Sequence, residues 1–319
     1  MRLSTIYYYL FSLLPIKLAN KFVWVHPEID WSISIYEGND FLNLQPIPAI
    51  KNPAISRKDV TDAFTGFVAD PFIVKRQDEW LLFFEIFNLK KGRGELAFAR
   101  SKDGYSWDYQ QTILVEDFHL SYPYVFECES NWYMIPETCE TNSVRLYKAK
   151  KFPDQWEFVS EILVGERFVD TSILNFEGIW WLFAGVEPTE GTSCNMLKLY
   201  YADDLLGAWT EHPMSPVVSN NSEISRPAGR VRQIENRLVR FAQDCTVIYG
   251  RNVSAIQIES LTKDTYAESK IQLDLSKATL RERDYIFELG TMPFNQRGMH
   301  HLDFIMLDRD HCIACVDCR

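Results

Sequence analysis

The sequence of 319 residues lacks the short motifs that mark several large classes of enzyme. It contains no GxxxxGKS or GxxxxGKT loop, no GxGxxG segment after a strand-like run, no GxSxG and no HExxH. These motifs cradle phosphates or dinucleotides, expose a nucleophilic serine or bind zinc. Because these motifs are absent, the sequence does not resemble most nucleotide-binding enzymes, hydride-transferring enzymes or serine hydrolases.

Positive charge is also in short supply. The chain has 33 Lys and Arg residues against 44 Asp and Glu residues, which gives a formal net charge of −11. Proteins that bind DNA or RNA carry stripes of basic side chains that neutralise phosphates, and this sequence has none. We therefore expect no nucleic-acid partner.

Cysteines and linkers are few. The 7 cysteines are an odd number and do not form the dense, even framework of a secreted disulfide protein. This favours a reducing compartment, and we expect a cytoplasmic location. No stretch rich in Pro, Gly or Ser divides the chain, and all-β domains often reach this length as one unit.

The first 22 residues differ in character from the rest. The run from Ile6 to Ile16 is apolar, is too short to cross a bilayer and is interrupted by Pro15. Three basic side chains flank it: Arg2, Lys17 and Lys21. No small-residue cleavage site follows. Residues 1–24 are predicted to be a helix packed on the domain or an anchor at the inner membrane surface, with a secretion signal as a third alternative.

An internal repeat organises the remaining residues, 25–319. A shift of 52 residues superimposes Pro71 on Pro123, Trp80 on Trp132 and Glu85 on Glu137. A shift of 100 residues superimposes Asp70 on Asp170, Ile73 on Ile173, Trp80 on Trp180 and Phe83 on Phe183. Looser copies begin at Ser225 and at His301.

Each copy predicts a hairpin of two short strands, and two further strand-like runs follow each of the first three hairpins. The copies therefore indicate four-stranded blades. The fifth copy has only two strands, and the runs Trp31–Tyr36 and Phe41–Leu44 would complete it. This closes the ring without a bare sheet edge. We predict an all-β fold, a single five-bladed β-propeller over residues 25–319; the alternative is a β-sandwich with coincidental spacing.

Polar side chains recur at one end of the predicted hairpins. The first strand of each blade lines the central channel, and the second strand returns to the face where the first began. Candidate residues at the starts of the first strands are Asp70, Tyr122, Asp170, Arg226 and His301, with Arg230 and His300 nearby. Those at the return ends are Glu85, Glu137, Gln243 and Asp244. Carboxylates gathered around one funnel shift each other's pKa values, as acid–base chemistry requires.

Each candidate also has a structural interpretation. Asp70 precedes a proline and could simply end a ladder, and the two glutamates could be solvated strand ends. Arg226 and Arg230 could form structural salt bridges with those glutamates instead of binding an anionic group. His300 and His301 could be ordinary histidines at the rim of the core.

The C-terminal cysteines are spaced as in some metal sites, at Cys312, Cys315 and Cys318. Side chains alternate along a strand, so Cys315 would point away from the other two. No second CxxC pair exists to complete a zinc site. We therefore predict no metal at these cysteines.

Several segments carry a family resemblance. The Asp70-Pro71-Phe72 opening and the matching Asp170 resemble the five-bladed propeller glycosidases of the arabinanase, β-xylosidase and invertase group. Four segments are more specifically similar to the N-terminal propeller domain of glucosamine inositolphosphorylceramide transferases: Val68–Phe72, Ser121–Val125, Met134–Glu137 and Ser225–Gly229. The resemblance covers residues 25–319 and does not extend to the glycosyltransferase domain of the plant proteins, so that activity is not carried over.

The glycosidase resemblance implies roles for particular residues. Asp70 matches the general base or nucleophile, and Asp170 matches the aspartate that orients the sugar and tunes pKa values. The family's general acid is a glutamate two residues before a proline on the fourth blade. This sequence has Ser225 at that position, followed by Arg226, and Glu223 lies two positions too early.

The absence of the family's general-acid glutamate at position 225 suggests a reaction that needs no proton donor. A phosphate leaving group needs cations, which Arg226, Arg230 and His301 would supply. We therefore expect a sugar-transforming enzyme of surface-polysaccharide or glycolipid metabolism that acts on an activated or anionic glycan, with Asp70 as base.

Two alternatives stay open. The first is a glycoside hydrolase that uses Glu223, Glu137 or Glu85 as its acid. The second is a glycan-binding module without catalysis, in which Tyr122 and Tyr124 stack on sugar faces. The expected partner is a carbohydrate or sugar phosphate, and no cofactor is expected. An axial Ca²⁺ near His301 and Asp303, as the glycosidase resemblance implies, is a further alternative.

Overall fold

The computed structural model describes residues 8, 10–189, 191, 194–272 and 285–319. Its strands form five antiparallel sheets, which are arranged as the blades of a β-propeller. The predicted fold class is confirmed. The strands are rich in β-branched and aromatic residues, which pack well on pleated surfaces.

A short helix and two strands lie between residue 16 and the first complete blade: α1 (Ile16–Phe22), β1 (Ser32–Gly38) and β2 (Gln45–Pro46). The first blade contains β3 (Thr65–Arg76), β4 (Glu79–Asn88), β5 (Arg93–Ser101) and β6 (Asp108–Leu114). The second contains β7 (Ser121–Cys128), β8 (Asn131–Glu137), β9 (Ser143–Lys151) and β10 (Gln155–Val164), with a 3-10 turn at Cys139–Thr141.

The third blade contains β11 (Phe168–Phe176), β12 (Ile179–Val186), β13 (Met196–Ala202), β14 (Thr210–Glu211) and β15 (Val218–Ser219). The fourth contains β16 (Arg226–Pro227), β17 (Arg232–Ile234), β18 (Arg237–Gln243), β19 (Val253–Leu261) and β20 (Tyr266–Lys270). The last two strands are β21 (Leu302–Asp308) and β22 (His311–Cys318).

The fifth blade joins the two ends of the described chain. Its strand order is β2-β1-β22-β21, and β1 pairs with β22 along its whole length, from Ser32 opposite Cys318 to Gly38 opposite Cys312. N-terminal strands therefore complete the last blade, as predicted. This closure pairs the free edge of the C-terminal hairpin with strand β1.

Two predicted strands are wrong in detail. Phe41–Leu44 is a turn, because the Asp40 carboxylate accepts hydrogen bonds from Leu42 N (2.6 Å) and Asn43 Nδ2 (2.8 Å), and the outer strand is β2 instead. The inner strand of the fourth blade is broken between β16 and β17. Gly229 lies in this gap with φ of 134°, and a Cβ there would lie 1.9 Å from the Leu302 carbonyl oxygen.

The faces of neighbouring blades pack into hydrophobic cores. Strand β22 shows how one strand serves two of them: Cys312 and Cys318 belong to one core, whereas Cys315 belongs to another. The three thiols therefore do not converge, as the strand periodicity predicts. All three are free thiols.

Helix α1 packs on the first blade through a small cluster with Ala19, Val23, Val25 and Phe64. Asn20 is fully buried and ties the helix to the chain before β3. No helix in the part of the chain that the structure describes is long and apolar enough to cross a membrane.

Candidate functional site

The first three inner strands share an irregularity at the same position. Their pairing with the next strand shifts register at residues 69–72, 121–124 and 169–172, which marks a β-bulge in each. At these bulges Asp70, Tyr122 and Asp170 have positive φ values of 53°, 48° and 47°. Such a conformation costs a non-glycine residue on the order of 1–3 kcal/mol. The repeat thus places three strained residues at one end of the channel.

Carboxylates of neighbouring blades hold the backbone at these bulges. Asp70 N donates to Asp317 Oδ2 (3.0 Å), Tyr122 N donates to Asp70 Oδ2 (3.2 Å) and Asp170 N donates to Glu137 Oε2 (3.2 Å). Each bond runs from the start of one inner strand to an acidic side chain of the preceding blade. The acidic residues therefore connect the blades as well as line the channel.

One arginine bridges two of these carboxylates. Arg226 Nε donates to Asp170 Oδ2 (2.6 Å), and Arg226 Nη2 donates to Glu137 Oε2 (3.2 Å). Gln243 Nε2 also donates to Asp170 Oδ2, at 2.8 Å. The guanidinium lies 5.2 Å from the centre of the Tyr249 ring.

A histidine lies between two other carboxylates. His300 Nε2 is 3.4 Å from Asp70 Oδ1, and His300 Nδ1 is 2.8 Å from Asp317 Oδ1. Its ring packs between Trp31 (4.2 Å between centroids) and Tyr249 (5.2 Å). Burial alone would lower the pKa of His300, but Asp317 and Asp70 outweigh burial and raise it. His300 therefore favours its charged form.

Glu85 lies beside Asp70, since it pairs with Ala69 across the β3–β4 ladder. Burial, reinforced by Asp70 and Glu137, raises the pKa of Glu85 well above its ordinary value. Its Oε1 has no hydrogen-bond partner among the described residues, and the nearest base is His119 Nε2 at 3.5 Å. The environment of Glu85 thus favours its protonated form.

We call this group of seven side chains the mouth cluster: Asp70, Glu85, Glu137, Asp170, Arg226, His300 and Asp317. Burial raises the pKa of Asp70 to about 7, although His300 opposes the shift. Burial likewise raises the pKa of Asp170 to about 7 against the opposing charge of Arg226. Both carboxyls therefore exchange protons near neutral pH, where a general base works best.

Deeper in the channel lies a second group, which we call the axial cluster: Tyr124, Arg230, Arg232 and Asp303. Asp303 Oδ2 accepts from Arg230 Nε (2.9 Å) and from Ile73 N (2.9 Å), and its Oδ1 accepts from Arg232 Nη2 (2.7 Å). Burial would raise the pKa of Asp303, but the two arginines lower it. Arg230 is thus held in a buried ion pair, but its partner is Asp303 and not one of the two glutamates named in its structural interpretation.

Two other predicted residues lie in the packed axis and are fully buried. Tyr122 accepts a hydrogen bond from Gly229 N (2.7 Å), and its hydroxyl lies 2.8 Å from Ser172 Oγ. His301 packs edge-on against Phe72 and Tyr122, and burial lowers its pKa to about 4. His301 is therefore neutral at pH 7, and neither it nor Tyr122 reaches the surface in this arrangement.

Two acidic candidates lie outside the mouth cluster. Asp244 accepts from Tyr285 Oη (2.6 Å) and Thr246 Oγ1 (2.6 Å), and these bonds overcome burial and lower its pKa. Glu223 pairs with Lys270 at 2.6 Å. Each is satisfied by its own loop or blade.

The residues of the channel do not fit the axial Ca²⁺ considered above. Both oxygens of Asp303 are occupied by arginines, so Asp303 is not available to hold a cation together with His301. Asp70, His300 and Asp317 do bring one possible ligand atom each within 4.8 Å of one another. Their atoms already pair with each other and with backbone N–H groups, so the trio is complete as an ion-paired network.

Comparison with known proteins assigns the family. Residues 25–319 match the family described as "Glucosamine inositolphosphorylceramide transferase 1, N-terminal". The chain belongs to this family. It is 33% identical over 307 residues to glucosamine inositolphosphorylceramide transferase 1 of Oryza sativa subsp. japonica, and 30% identical to that of Arabidopsis thaliana. Each match covers 91% of this chain but only 40% or 39% of the plant protein.

Solved structures share the fold at low sequence identity. An exo-β-1,3-galactanase from Clostridium thermocellum has a TM-score of 0.61 and 14% identity, covering 77% of this chain and 57% of that protein. The catalytic domain of a GH62 α-L-arabinofuranosidase from Coprinopsis cinerea has a TM-score of 0.56 and 12% identity, covering 78% and 90%. The predicted resemblance to both groups is confirmed at the level of family and fold.

Sequence reasoning about this transferase-family propeller missed three residues of the mouth. Asp317 lies one residue before the end of β22. Glu85 and Glu137 occupy similar positions near the ends of the second strands of their own blades, so the repeat could have indicated Asp317. Tyr249 lies in the loop after β18, and Trp31 precedes β1. Neither position has a counterpart in the repeat, so no pattern could have indicated it.

Proposed function

We propose that the chain binds a sugar at the mouth of the propeller and transforms it with Asp70 as the general base. The observation that carries this proposal is a pair of adjacent buried carboxyls whose pKa values are both raised. Burial raises the pKa of Asp70 to about 7, and burial together with neighbouring carboxylates raises the pKa of Glu85 well above its ordinary value. Buried carboxyls with strongly shifted pKa values mark candidate acid–base sites.

Relatives and neighbours support a carbohydrate. The plant relatives are named as transferases of glucosamine and inositolphosphorylceramide, and the structural neighbours are named as a galactanase and an arabinofuranosidase. This chain spans about 40% of its plant relatives' length, so the whole proteins' activity is not assigned to it. The shared element is sugar chemistry on or beside this propeller.

The charge of the mouth narrows the type of sugar. Five carboxyl groups face one arginine and one histidine, and Arg226 is already bonded to two of the carboxylates. Arg230 is paired in the axial cluster, and His301 is neutral. Of the three side chains expected to bind a phosphate, Arg226 and Arg230 are therefore already paired with carboxylates and His301 is uncharged. The contacts favour a neutral or amino sugar over the anionic glycan expected from the sequence.

The reaction that fits these groups is glycosyl transfer to water or to a hydroxyl. Asp70 takes the proton of the attacking oxygen as that oxygen bonds to the anomeric carbon. The bond from this carbon to the leaving oxygen breaks, and the leaving oxygen takes the proton of Glu85. Of the three acid candidates, Glu85 has a raised pKa, whereas Glu137 is bonded to Arg226 and Glu223 is paired with Lys270.

A glycan-binding module is the second candidate, and one observation favours it. Asp70 and Asp170 are only 5% and 2% exposed, so the mouth must open before a sugar can reach either carboxyl. Binding without turnover needs only the rim, where Tyr249 is 45% exposed and carries an aromatic face.

The decisive experiment measures turnover and binding in parallel. Nitrophenyl glycosides and nucleotide sugars of glucosamine, N-acetylglucosamine, galactose and arabinose are incubated with wild type and Asp70→Asn. Released nitrophenol, nucleotide and free sugar report the reaction. We expect Asp70→Asn to lower kcat/KM by about 10²- to 10⁴-fold while sugar binding by calorimetry is kept. The exposed Asp204→Asn serves as the matched control and should leave both unchanged.

Three results would count against the proposal. Unchanged turnover in Asp70→Asn would remove Asp70 as the base. Sugar binding without turnover in the wild type would establish the binding module instead. Tighter binding of glucose 6-phosphate than of glucosamine or glucose would overturn the charge argument.

A further inference from the structure

Large apolar side chains are exposed along the N-terminal segment, outside the cores of the propeller. Six of them are between 43% and 67% exposed: Leu10, Leu13, Leu14, Leu18, Phe22 and Trp24. Scattered exposed apolar residues are normal, but several large ones within fifteen positions are not. We call this set the N-terminal face.

The opposite side of helix α1 is fixed to the protein. Asn20 is fully buried; its Nδ2 donates to Val60 O (3.0 Å) and Ala63 O (2.9 Å), and its Oδ1 accepts from Thr65 N (2.8 Å). Ala19 beside it is 1% exposed. Because these contacts set the rotation of the helix, Leu18 and Phe22 are held facing outward.

Lysines border the apolar residues. Lys17 and Lys21 lie one turn apart on α1, each directly before an exposed apolar residue, and Lys21 Nζ lies 5.5 Å from the centre of the Phe22 ring. The same two lysines and Lys58 line a cleft of about 490 Å³, together with two aspartates, Asp59 and Asp108, and with Thr61, Trp107 and Tyr109. None of the three lysines forms a salt bridge within the described ranges. This basic edge stands out in a chain whose net charge is −11.

We propose that the N-terminal face docks the protein on the surface of a membrane that contains anionic lipids. The leucines, Phe22 and Trp24 enter the boundary between headgroups and acyl chains, where tryptophan is favoured. The lysines of the cleft contact lipid phosphates. A membrane fits better than a second copy of this chain. Two chains of net charge −11 repel each other, and a symmetric contact would place the lysines of one copy beside those of the other.

The test is co-sedimentation of the full-length chain with vesicles. One set is pure phosphatidylcholine, and the other is phosphatidylcholine mixed with phosphatidylglycerol. We expect binding to the mixed vesicles, with a preference that weakens in high salt because salt screens the lysines. Replacing Lys17 and Lys21 together by Gln should weaken partitioning by about 30-fold, at roughly fivefold for each lysine.

Variants of the exposed apolar residues test whether these side chains insert into the membrane, separately from the electrostatic attraction of the lysines. Leu18→Asp combined with Phe22→Asp should weaken binding to both kinds of vesicle by at least about tenfold. The matched controls are Leu206→Asp, which changes a leucine that is 60% exposed on the third blade, and Lys151→Gln on β9. Both should bind as wild type, and circular dichroism confirms that all variants are folded.

Three outcomes would overturn the proposal. One is equal recovery of wild type and the Leu18/Phe22 variant with mixed vesicles. The second is equal binding to neutral and anionic vesicles. The third is a dimer in solution that the same apolar variant dissociates, which would identify a second copy as the occupant. None of these readouts depends on the mouth cluster, so they are independent of the proposed sugar chemistry.

Discussion

The mouth cluster and the axial cluster are built by the same ring of blades, but they balance charge in opposite ways. In the axial cluster a single buried carboxylate, Asp303, has two arginines, and its pKa is lowered. In the mouth cluster Arg226 serves two carboxylates, and the pKa values of Asp70 and Asp170 rise to about 7.

This difference separates a structural ion pair from a functional one. A carboxylate that is paired with two arginines stays in its charged form and stabilises the propeller. When several buried carboxylates share one cationic partner, their charged forms are unfavourable and their pKa values rise. Groups of this kind cluster at sites of proton transfer or of polar ligand binding. The mouth cluster is therefore expected to cost folding stability, whereas the axial cluster contributes to it.

The largest effect is expected in the axial cluster. Asp303→Asn leaves the buried Arg230 and the partly exposed Arg232 beside a neutral group, and we expect a loss of about 3–5 kcal/mol in the free energy of unfolding. Urea denaturation at pH 7 measures it. A loss below about 1 kcal/mol would show that the two clusters do not differ as described.

The pH dependence of turnover sharpens the contrast. Asp70 must be deprotonated to act as a base, so kcat/KM should rise about tenfold per pH unit from pH 5 and level off near the pKa of about 7. A rate profile on the best glycoside from the panel provides the measurement. A profile that is flat between pH 5 and 8 would contradict the role of Asp70.

Asp70→Asn should stabilise the protein at high pH. The folded-state pKa of Asp70 is raised above its ordinary value of 3.8, so its favourable contribution is complete below about pH 4 and is lost as the pH rises through about 7. At pH 8 the amide avoids a buried charge, and we expect a gain on the order of 2 kcal/mol.

Thermal unfolding at several pH values tests this sign. The gain from Asp70→Asn should shrink as the pH falls from 8 towards 4. The loss of stability caused by Asp303→Asn should have the opposite pH dependence. Because the pKa of Asp303 is lowered in the folded protein, its stabilising contribution is present above about pH 4 and is lost at lower pH. Destabilisation by Asp70→Asn at pH 8 would break the comparison between the clusters.

The smallest effect is expected at the rim of the mouth. Tyr249 packs over Arg226 and His300 and is half-exposed. Tyr249→Ala removes one aromatic face, and we expect sugar binding to weaken by about three- to tenfold with little change in unfolding free energy. Tyr249→Phe keeps the ring and should bind as wild type. Equal binding by all three proteins would remove Tyr249 from the site.

Much of the ring was predictable because its repeat is marked by large residues at fixed positions. Trp80, Trp132 and Trp180 stand at the same place in three hairpins, and the unpaired C-terminal hairpin required two N-terminal strands. The same periodicity predicted that Asp70, Asp170, Glu85 and Glu137 would meet. The hydrogen bonds of these residues and the raised pKa values of Asp70, Asp170 and Glu85 supply the detail that spacing alone cannot give.

The failures have local causes. Asp40 turns the chain at Phe41, a side-chain effect that hydrophobic pattern does not reveal. Tyr122 lies in the packed axis because side-chain direction at a bulge depends on backbone angles that a repeat does not encode. Arg230 pairs with Asp303 directly after the strand break at Gly229, which the repeat does not encode either. Tyr249 belongs to a loop, where the periodicity ends.

The most direct test of the account is a carbon-13 NMR titration of the aspartate carboxyl groups. Signals that disappear in Asp70→Asn and in Asp170→Asn identify the two residues. The account predicts that both titrate near pH 7 in the wild type, while the Asp303 signal stays ionised to low pH. Titration of Asp70 and Asp170 near the ordinary value of 3.8 would contradict it.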